Sequence, residues 1–283
     1  MVAKNAERDL RLHGQTATIC GGSKGIGKAT AVRMAAMGAN VCIIAREQAA
    51  LDAAAAEILA ARADAQQFVE AFSCDTTDEA RLRPLLEAFV AEHGAPDYLV
   101  NAVGFAYPQY VQELTLDDYR RNMEVNYYGQ LIPIQILLPH FIQAGKGHIA
   151  NVSSMMGYFG IMGYATYAPS KFAIVGLTEV LRHELKPYGI TFSILYPPDV
   201  DTPGFARENQ TKPPECAMMS ENSKLMTAEA VAEVFVTGML KRKFNILPGD
   251  AWLAWFLFRH FPWLLRWFLD SDYQKARRKL GKA

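Results

Sequence analysis

Thr16-Ala-Thr-Ile-Cys20-Gly21-Gly22-Ser23-Lys24-Gly25-Ile26-Gly27 decides how this chain folds. A short apolar, β-branched run leads straight into a glycine-rich turn, and a helical pattern from Lys28 to Met37 follows. Strand, glycine turn and helix in that order form a dinucleotide-binding turn. Gly21, Gly25 and Gly27 let the backbone turn tightly, approach a pyrophosphate and seat the helix on the sheet. Amide groups at the helix start bind the phosphates, so Ser23, Lys24 and Ile26 join the glycines as expected cofactor contacts.

From Gln15 to Gly249 the same alternation continues. Strands are predicted at Thr16–Cys20, Asn40–Ala45, Gln67–Ser73, Tyr98–Asn101, His148–Ser153, Thr191–Tyr196 and Asn245–Leu247, with helices filling most of the gaps. The pattern implies an α/β fold in which about seven strands form a doubly wound parallel sheet with helices on both faces. The alanine-rich run from Glu47 to Ala63 has high helix propensity and lies between two strands, so it is a crossover helix. No linker divides residues 1–250, which are expected to form one cofactor-binding catalytic domain. Residues 204–227, polar and proline-containing, break the alternation after the sixth strand and are expected to form a substrate lid.

The second strand ends at Ala45-Arg46, where a chain built for NAD usually carries an Asp or Glu for the ribose hydroxyls. That acid is missing. Arg46 follows the strand directly and Lys24 lies within the glycine turn, so two cations are placed to flank a 2′-phosphate. The cofactor expected is therefore NADPH/NADP+, unless the two are unrelated surface cations.

Downstream stands Tyr167-Ala-Pro-Ser-Lys171, with Ser154 thirteen residues before the tyrosine. Residues four apart share a helical face, so Lys171 lies one turn from Tyr167 and its charge favours the phenolate. A phenol titrates at about 10, and bringing it to about 7 takes roughly 4 kcal/mol of differential stabilisation. Such a pair is a proton-transfer device for a carbonyl. Ser153 competes with Ser154 for the serine position, the spacing favouring Ser154. Tyr164 lacks both a lysine four residues later and a serine thirteen earlier.

Taken together, these residues resemble the short-chain dehydrogenase/reductase family, over nearly the whole span from Gly14 to Gly249. The resemblance implies a Rossmann-type sheet and a set of roles. Asn101-Ala102-Val103-Gly104 is similar to the family's Asn-Asn-Ala-Gly element, which shapes the cofactor pocket, with Asn101 and Gly104 kept. Asp75 matches the acid that contacts adenine, and Asn126 the asparagine whose helix bulge holds a relay water. Pro197-Pro198-Asp199-Val200-Asp201-Thr202 matches the Pro-Gly-x-Val-x-Thr segment that orients the nicotinamide, Pro198 replacing glycine and Pro197, Val200 and Thr202 carried over. Cys20 replaces the usual threonine before the first glycine.

The implied chemistry is reduction of a ketone. Ser154 hydrogen-bonds the carbonyl oxygen, Tyr167 donates the proton, and Lys171 lowers the tyrosine and binds the nicotinamide ribose. Asn126 completes the relay. The run from Tyr196 to Pro213, ending Glu-Asn-Gln-Thr-Lys-Pro, is similar to the family members that act on long-chain sphingoid ketones. A relative acting on another lipid or steroid ketone would carry the same relay; a non-catalytic NADPH-binding scaffold would have no use for it. Relatives commonly form dimers or tetramers, which implies a homo-oligomer.

Residues 251–269 hold all four tryptophans, Trp252, Trp255, Trp263 and Trp267, beside Phe256, Phe258, Phe261 and Phe268. Arg259, His260, Pro262 and Arg266 interrupt the stretch, so it is not expected to span a bilayer. With the basic tail from Lys275 to Lys282, residues 251–283 read as an aromatic, basic helical extension lying in a membrane surface. A subunit interface or a cover for the substrate cleft fits the same aromatics.

Composition narrows the rest. The chain has 283 residues, 51% of them hydrophobic, and Lys plus Arg balance Asp plus Glu at 29 each, so no global charge points to nucleic acid. The four cysteines lack Cys-x-x-Cys spacing and read as core residues of a reducing compartment, and no His or Cys pairing suggests a metal. Met1 to Gly14 has no apolar centre, so neither signal peptide nor N-terminal anchor is expected, and a cytoplasmic, peripheral location is.

Overall fold

The computed structural model of the chain describes residues 10–221 and 225–282. Residues 1–9 of the N-terminal reading and 222–224 of the expected lid lie outside them.

The glycine-rich stretch forms the predicted unit. Strand β1 (Thr16–Cys20) enters the turn and helix α1 (Gly25–Ala36) leaves it. There follow β2 (Asn40–Ala45), α2 (Gln48–Ala61), β3 (Val69–Ser73), α3 (Glu79–His93) and β4 (Tyr98–Asn101). The second half contains α4 (Leu116–Met123), a π-helical turn (Glu124–Tyr128), α5 (Gly129–Ala144), β5 (Gly147–Val152), α6 (Tyr167–Glu184) and β6 (Ile190–Leu195). Two-residue strands β7 (Val200–Asp201) and β8 (Met226–Thr227) enclose helices α7 (Pro203–Glu208) and α8 (Pro214–Ser220). Then come α9 (Ala228–Leu240), β9 (Asn245–Ile246), α10 (Ala251–His260) and α11 (Pro262–Lys279).

Seven strands make one parallel sheet in the order β3-β2-β1-β4-β5-β6-β9. The side-chain alternation along each strand feeds two cores. Ile19, Val41, Ile43 and Val100 point to the face covered by α1, α2 and α9, where Met34, Leu51, Ile58, Phe235 and Met239 are buried. Cys20, Cys42, Ile44 and Leu99 point to the other, against Leu86, Phe89, Leu137 and Phe141 of α3 and α5. All four cysteines are buried and free. Strand β3 begins two residues later than predicted because Gln67 anchors the preceding loop instead: its Nε2 donates to the carbonyls of Ala35 and Ala39 at 2.9 and 2.6 Å.

The strand order reverses between β1 and β4, and there the crossovers leave in opposite directions. A crevice therefore opens at the carboxyl ends of the strands, the place where the glycine turn and the tyrosine helix both deliver their residues.

Candidate active site

A cleft of about 1400 Å³ opens at these strand ends. Its floor is the glycine turn. A Cβ on Gly27 would lie 2.2 Å from the carbonyl oxygen of Gly21, so only glycine lets the helix start this close to the strand. Lys24, at the N-cap of α1, makes no side-chain cap and the first turn carries no acid, so the leading amides are left for an anion. Gly21, Ser23, Lys24, Gly25, Ile26 and Gly27 all line the cleft, as do Arg46, Asp75, Gly104, Pro197, Val200 and Thr202. These residues fit a dinucleotide: they would hold its pyrophosphate on the turn and its nicotinamide end toward Tyr167.

The two expected phosphate cations are not free. Lys24 Nζ bonds Glu47 Oε2 at 2.6 Å and Arg46 lies 3.6 Å from Asp75 Oδ2. Glu47, one residue past Arg46, is thus a carboxylate near the ribose end that the sequence reading passed over. Arg207 of the insertion also lines the cleft, and its charge helps hold the Glu47 carboxyl below the usual range, behind the stronger effect of Lys24. Asn101 stands apart: it is wholly buried in β4, donates to Asn151 Oδ1 at 2.9 Å and supports the loop from behind the cleft lining.

The catalytic candidates converge. Tyr167 and Lys171 open α6 on one face, and the Lys171 ammonium lies 5.5 Å from the centre of the tyrosine ring. Lys171 Nζ donates to the Val152 carbonyl at 3.0 Å, at the end of β5. The two adjacent serines divide. Both reach the cleft lining, but Ser153 donates its hydroxyl to the Lys171 carbonyl at 3.0 Å, whereas Ser154 hydrogen-bonds the Tyr167 hydroxyl and accepts from the Met156 amide. The π-helical turn carries Asn126, whose Oδ1 accepts from the Phe105 amide and whose Nδ2 donates to the Phe105 carbonyl and to Ser170 Oγ, each at 2.9 Å. Gly104 is where Asn126 and Lys171 meet: a Cβ there would lie 3.0 Å from Lys171 Nζ and 3.2 Å from Asn126 Oδ1.

Burial sets the acidities here. It pushes the Tyr167 hydroxyl up, Glu208 and Asp199 add to the rise, and the Ser154 hydrogen bond opposes it. Lys171 does not offset this rise, and the same burial pushes the lysine itself down, to about 7.

Beside the relay lies a cluster that the sequence reading missed. Tyr164 donates to Glu208 Oε1, and Lys212 Nζ, 1% exposed, reaches the same oxygen at 3.3 Å. Burial raises the Glu208 carboxyl in spite of both contacts. The insertion that carries them is framed by the parallel β7–β8 pair, and α11 packs on its helix α8. Lys282 closes that contact, reaching Tyr110 Oη at 2.9 Å and Glu215 Oε1 at 3.0 Å, while Tyr110 donates to Glu215 Oε2.

The C-terminal aromatics separate by face. Trp255 and Phe258 pack on Tyr158, Ile194 and Tyr196, and Tyr158 donates to the Ala251 carbonyl at 3.0 Å. Leu269 and Asp272 of α11 reach the cleft. Trp252, Phe256, Trp263, Trp267 and Phe268 remain exposed. Among the described residues no helix is long and apolar enough to cross a membrane.

Residues 15–213 match the family model described as short chain dehydrogenase. The chain is 36% identical to the 3-dehydrosphinganine reductase of Danio rerio, over 84% of this chain and 72% of that protein. It is 36% identical to the 3-ketodihydrosphingosine reductase of Dictyostelium discoideum, over 84% and 75%, and 35% identical to that of Bos taurus, over 86% and 74%. Among solved structures it is similar to levodione reductase, with a TM-score of 0.75 and 25% identity over 83% of this chain and 95% of that one. A short chain dehydrogenase from Mycobacterium paratuberculosis bound to NAD is similar too, with a TM-score of 0.74 and 26% identity over 85% and 99%.

Proposed function

The chain belongs to the short chain dehydrogenase family, and from that premise we propose that it reduces 3-oxosphinganine (3-ketodihydrosphingosine) to sphinganine with NADPH. It is an oxidoreductase using a nicotinamide cofactor, and its sphingoid role is that of the relatives it matches over most of its length. The observation that carries the chemistry is the convergence of Ser154, Tyr167 and Lys171 beside a glycine cradle in one cleft.

When bound, the cofactor supplies hydride. Ser154, fixed by the Met156 amide, holds the carbonyl oxygen beside the Tyr167 hydroxyl. Tyr167 is protonated throughout neutral pH, since burial raises it, and donates its proton as the oxygen gains charge. Lys171 and the buried Asn126–Ser170 contact lie behind it and return the proton. For the 2′-phosphate, Arg46, Lys24 and Arg207 are three cations at the ribose end; the two carboxylates, Glu47 and Asp75, swing aside or share the site.

The substrate is drawn from a membrane surface on the cytoplasmic face. Exposed Trp252, Trp263 and Trp267 stand beside Arg259 and Arg266, and the same helix α11 reaches into the cleft through Leu269. Aromatic and cationic side chains so mixed favour an anionic lipid interface.

Following NADPH oxidation with 3-oxosphinganine tests the reading. Wild type turns over, and Tyr167→Phe loses at least about a hundredfold in kcat; no turnover by wild type, or full turnover by the variant, overturns it. Sedimentation with anionic vesicles tests the surface: Trp252, Trp263 and Trp267 all changed to Ala should release the protein, and equal sedimentation of variant and wild type counts against it.

A further inference from the structure

The Val152 carbonyl that receives the Lys171 ammonium has a second donor. Gln130 Nε2 reaches the same oxygen at 3.0 Å, as Lys171 Nζ does. It donates to the Val103 carbonyl as well, also at 3.0 Å. Val152 ends β5 and Val103 lies just past the end of β4, so one amide ties together the ends of two paired central strands. Both partners are carbonyl oxygens, so the amide must turn its nitrogen to them, and its two N–H bonds are used one on each. Gln130 is wholly buried, and its Oε1 has no hydrogen-bond partner among the described residues. A stranded acceptor is unfavourable, so the nitrogen is the part of this side chain that the fold uses.

Gln130 stands in the first turn of α5, four residues after Asn126 of the π-helical turn. Asn126 binds the amide and the carbonyl of Phe105, and Gln130 binds the carbonyl of Val103. Between those two residues lies Gly104, where a Cβ would come 3.0 Å from Lys171 Nζ. The two amides thus grip the loop on either side of the point that abuts the ammonium, and Gln130 also grips the oxygen to which the ammonium is bonded. Gln130 does not line the cleft, so it acts on Lys171 through these backbone groups and not on a substrate. Two donors that share one oxygen turn their positive ends toward each other, which disfavours the charged lysine.

We propose that Gln130 is a positioning residue of the relay: it clamps the Val103 and Val152 carbonyls, fixes the oxygen to which Lys171 donates and, by sharing that oxygen, eases release of the lysine proton. Its effect on rate rests on the ketone-reductase reading; its effect on the lysine rests on the geometry alone.

The experiment follows the Lys171 titration by carbon NMR in protein labelled at the lysine Cε, with Lys171→Met assigning the signal, alongside steady-state rates and thermal melts. Gln130→Met keeps the length of the side chain and removes both N–H donors, so the Val152 oxygen serves the ammonium alone. Loss of one shared hydrogen bond predicts that the midpoint moves up by about half a pH unit to one unit. With the oxygen no longer clamped, kcat falls roughly 10- to 100-fold while the KM for the ketone stays in place. A lower melting temperature with an unmoved midpoint means a structural role and overturns the proposal. Where Gln130→Met does not fold, Gln130→Glu decides: a carboxylate beside the ammonium must raise the midpoint, and a midpoint unmoved or lowered overturns the clamp. Failure of both variants to fold makes the residue structural and overturns it too. Wild type without turnover removes the ketone reading, and the clamp then stands or falls by the titration midpoint.

Discussion

Lys171 holds its ammonium 5.5 Å from the centre of the Tyr167 ring and donates it to the Val152 carbonyl at the end of β5. One helix supplies both side chains, and one strand end fixes their height above the sheet. Their separation is thus set by one helix and one strand end. Their charges are set by burial, which acts on the two in opposite directions, raising the phenol and lowering the amine.

A pH profile follows from the lysine. Burial brings Lys171 down to about 7, so it is charged below that pH and neutral above. The ratio kcat/KM for the cofactor refers to the free enzyme. It should decline above about pH 7 in wild type and lose that limb in Lys171→Met, at a rate lower by about a hundredfold or more. A wild-type profile flat through neutrality would contradict the assignment.

The paired serines give a second expectation. Ser154→Ala removes a group that touches the Tyr167 hydroxyl in the cleft, so kcat drops by about a hundredfold with thermal stability kept. Ser153→Ala removes an internal bond to the Lys171 carbonyl, and a Cβ on Gly157 would lie 2.2 Å from that same Oγ, so the site is tightly filled. Its cost should appear as about 1 kcal/mol of stability, with most of the rate retained. Thermal melts and steady-state rates on both variants separate the roles, and a reversed pattern exchanges them.

His148 makes stability depend on pH. It is fully buried in β5 between Thr191 Oγ1 at 2.8 Å and Ser193 Oγ at 3.0 Å, and burial lowers it to about 3. The folded chain refuses a proton that the unfolded chain accepts at about 6.5. Stability from this group is complete above about 6.5 and falls as pH drops toward 3. The loss at about pH 5 is on the order of 2 kcal/mol. Denaturant midpoints measured across that window should fall in wild type and level out in His148→Gln; parallel curves would refute the role.

The sheet was legible because both of its periods are written in local sequence. Ile19 and Cys20, or Ile43 and Ile44, alternate between the two cores as neighbours in a strand must. The glycine turn and the relay spacing were equally local. Gln67 was not: its two carbonyl partners lie far away in sequence, and they hold it out of the strand, which starts two residues later. Nor was Glu208, because a glutamate four residues before a lysine reads as an exposed helical ion pair until folding buries the lysine and most of the glutamate. The direction of the tyrosine shift escaped for the same reason, since spacing shows the neighbouring charge and hides the desolvation that opposes it.

The tail of the chain couples to the insertion between β7 and β8. Lys282 reaches Tyr110 and Glu215, and Glu215 lies on α8, the second helix of the insertion. Helix α11, which carries the exposed Trp263 and Trp267, therefore ends in a clasp on the insertion, whose residues help line the cleft. Lys282→Ala leaves Glu215 with Tyr110 alone, a pairing that holds α8 to the body of the domain but no longer to α11. Amide exchange in α8 should then quicken severalfold while exchange in β1 and β4 stays as it was, because opening is local to the insertion. The same substitution should raise the KM for a long-chain ketone and leave the KM for NADPH in place, since Lys282 touches α8 of the insertion and not the glycine cradle. Unchanged exchange in α8, together with an unchanged ketone KM, would mean that tail and insertion move independently.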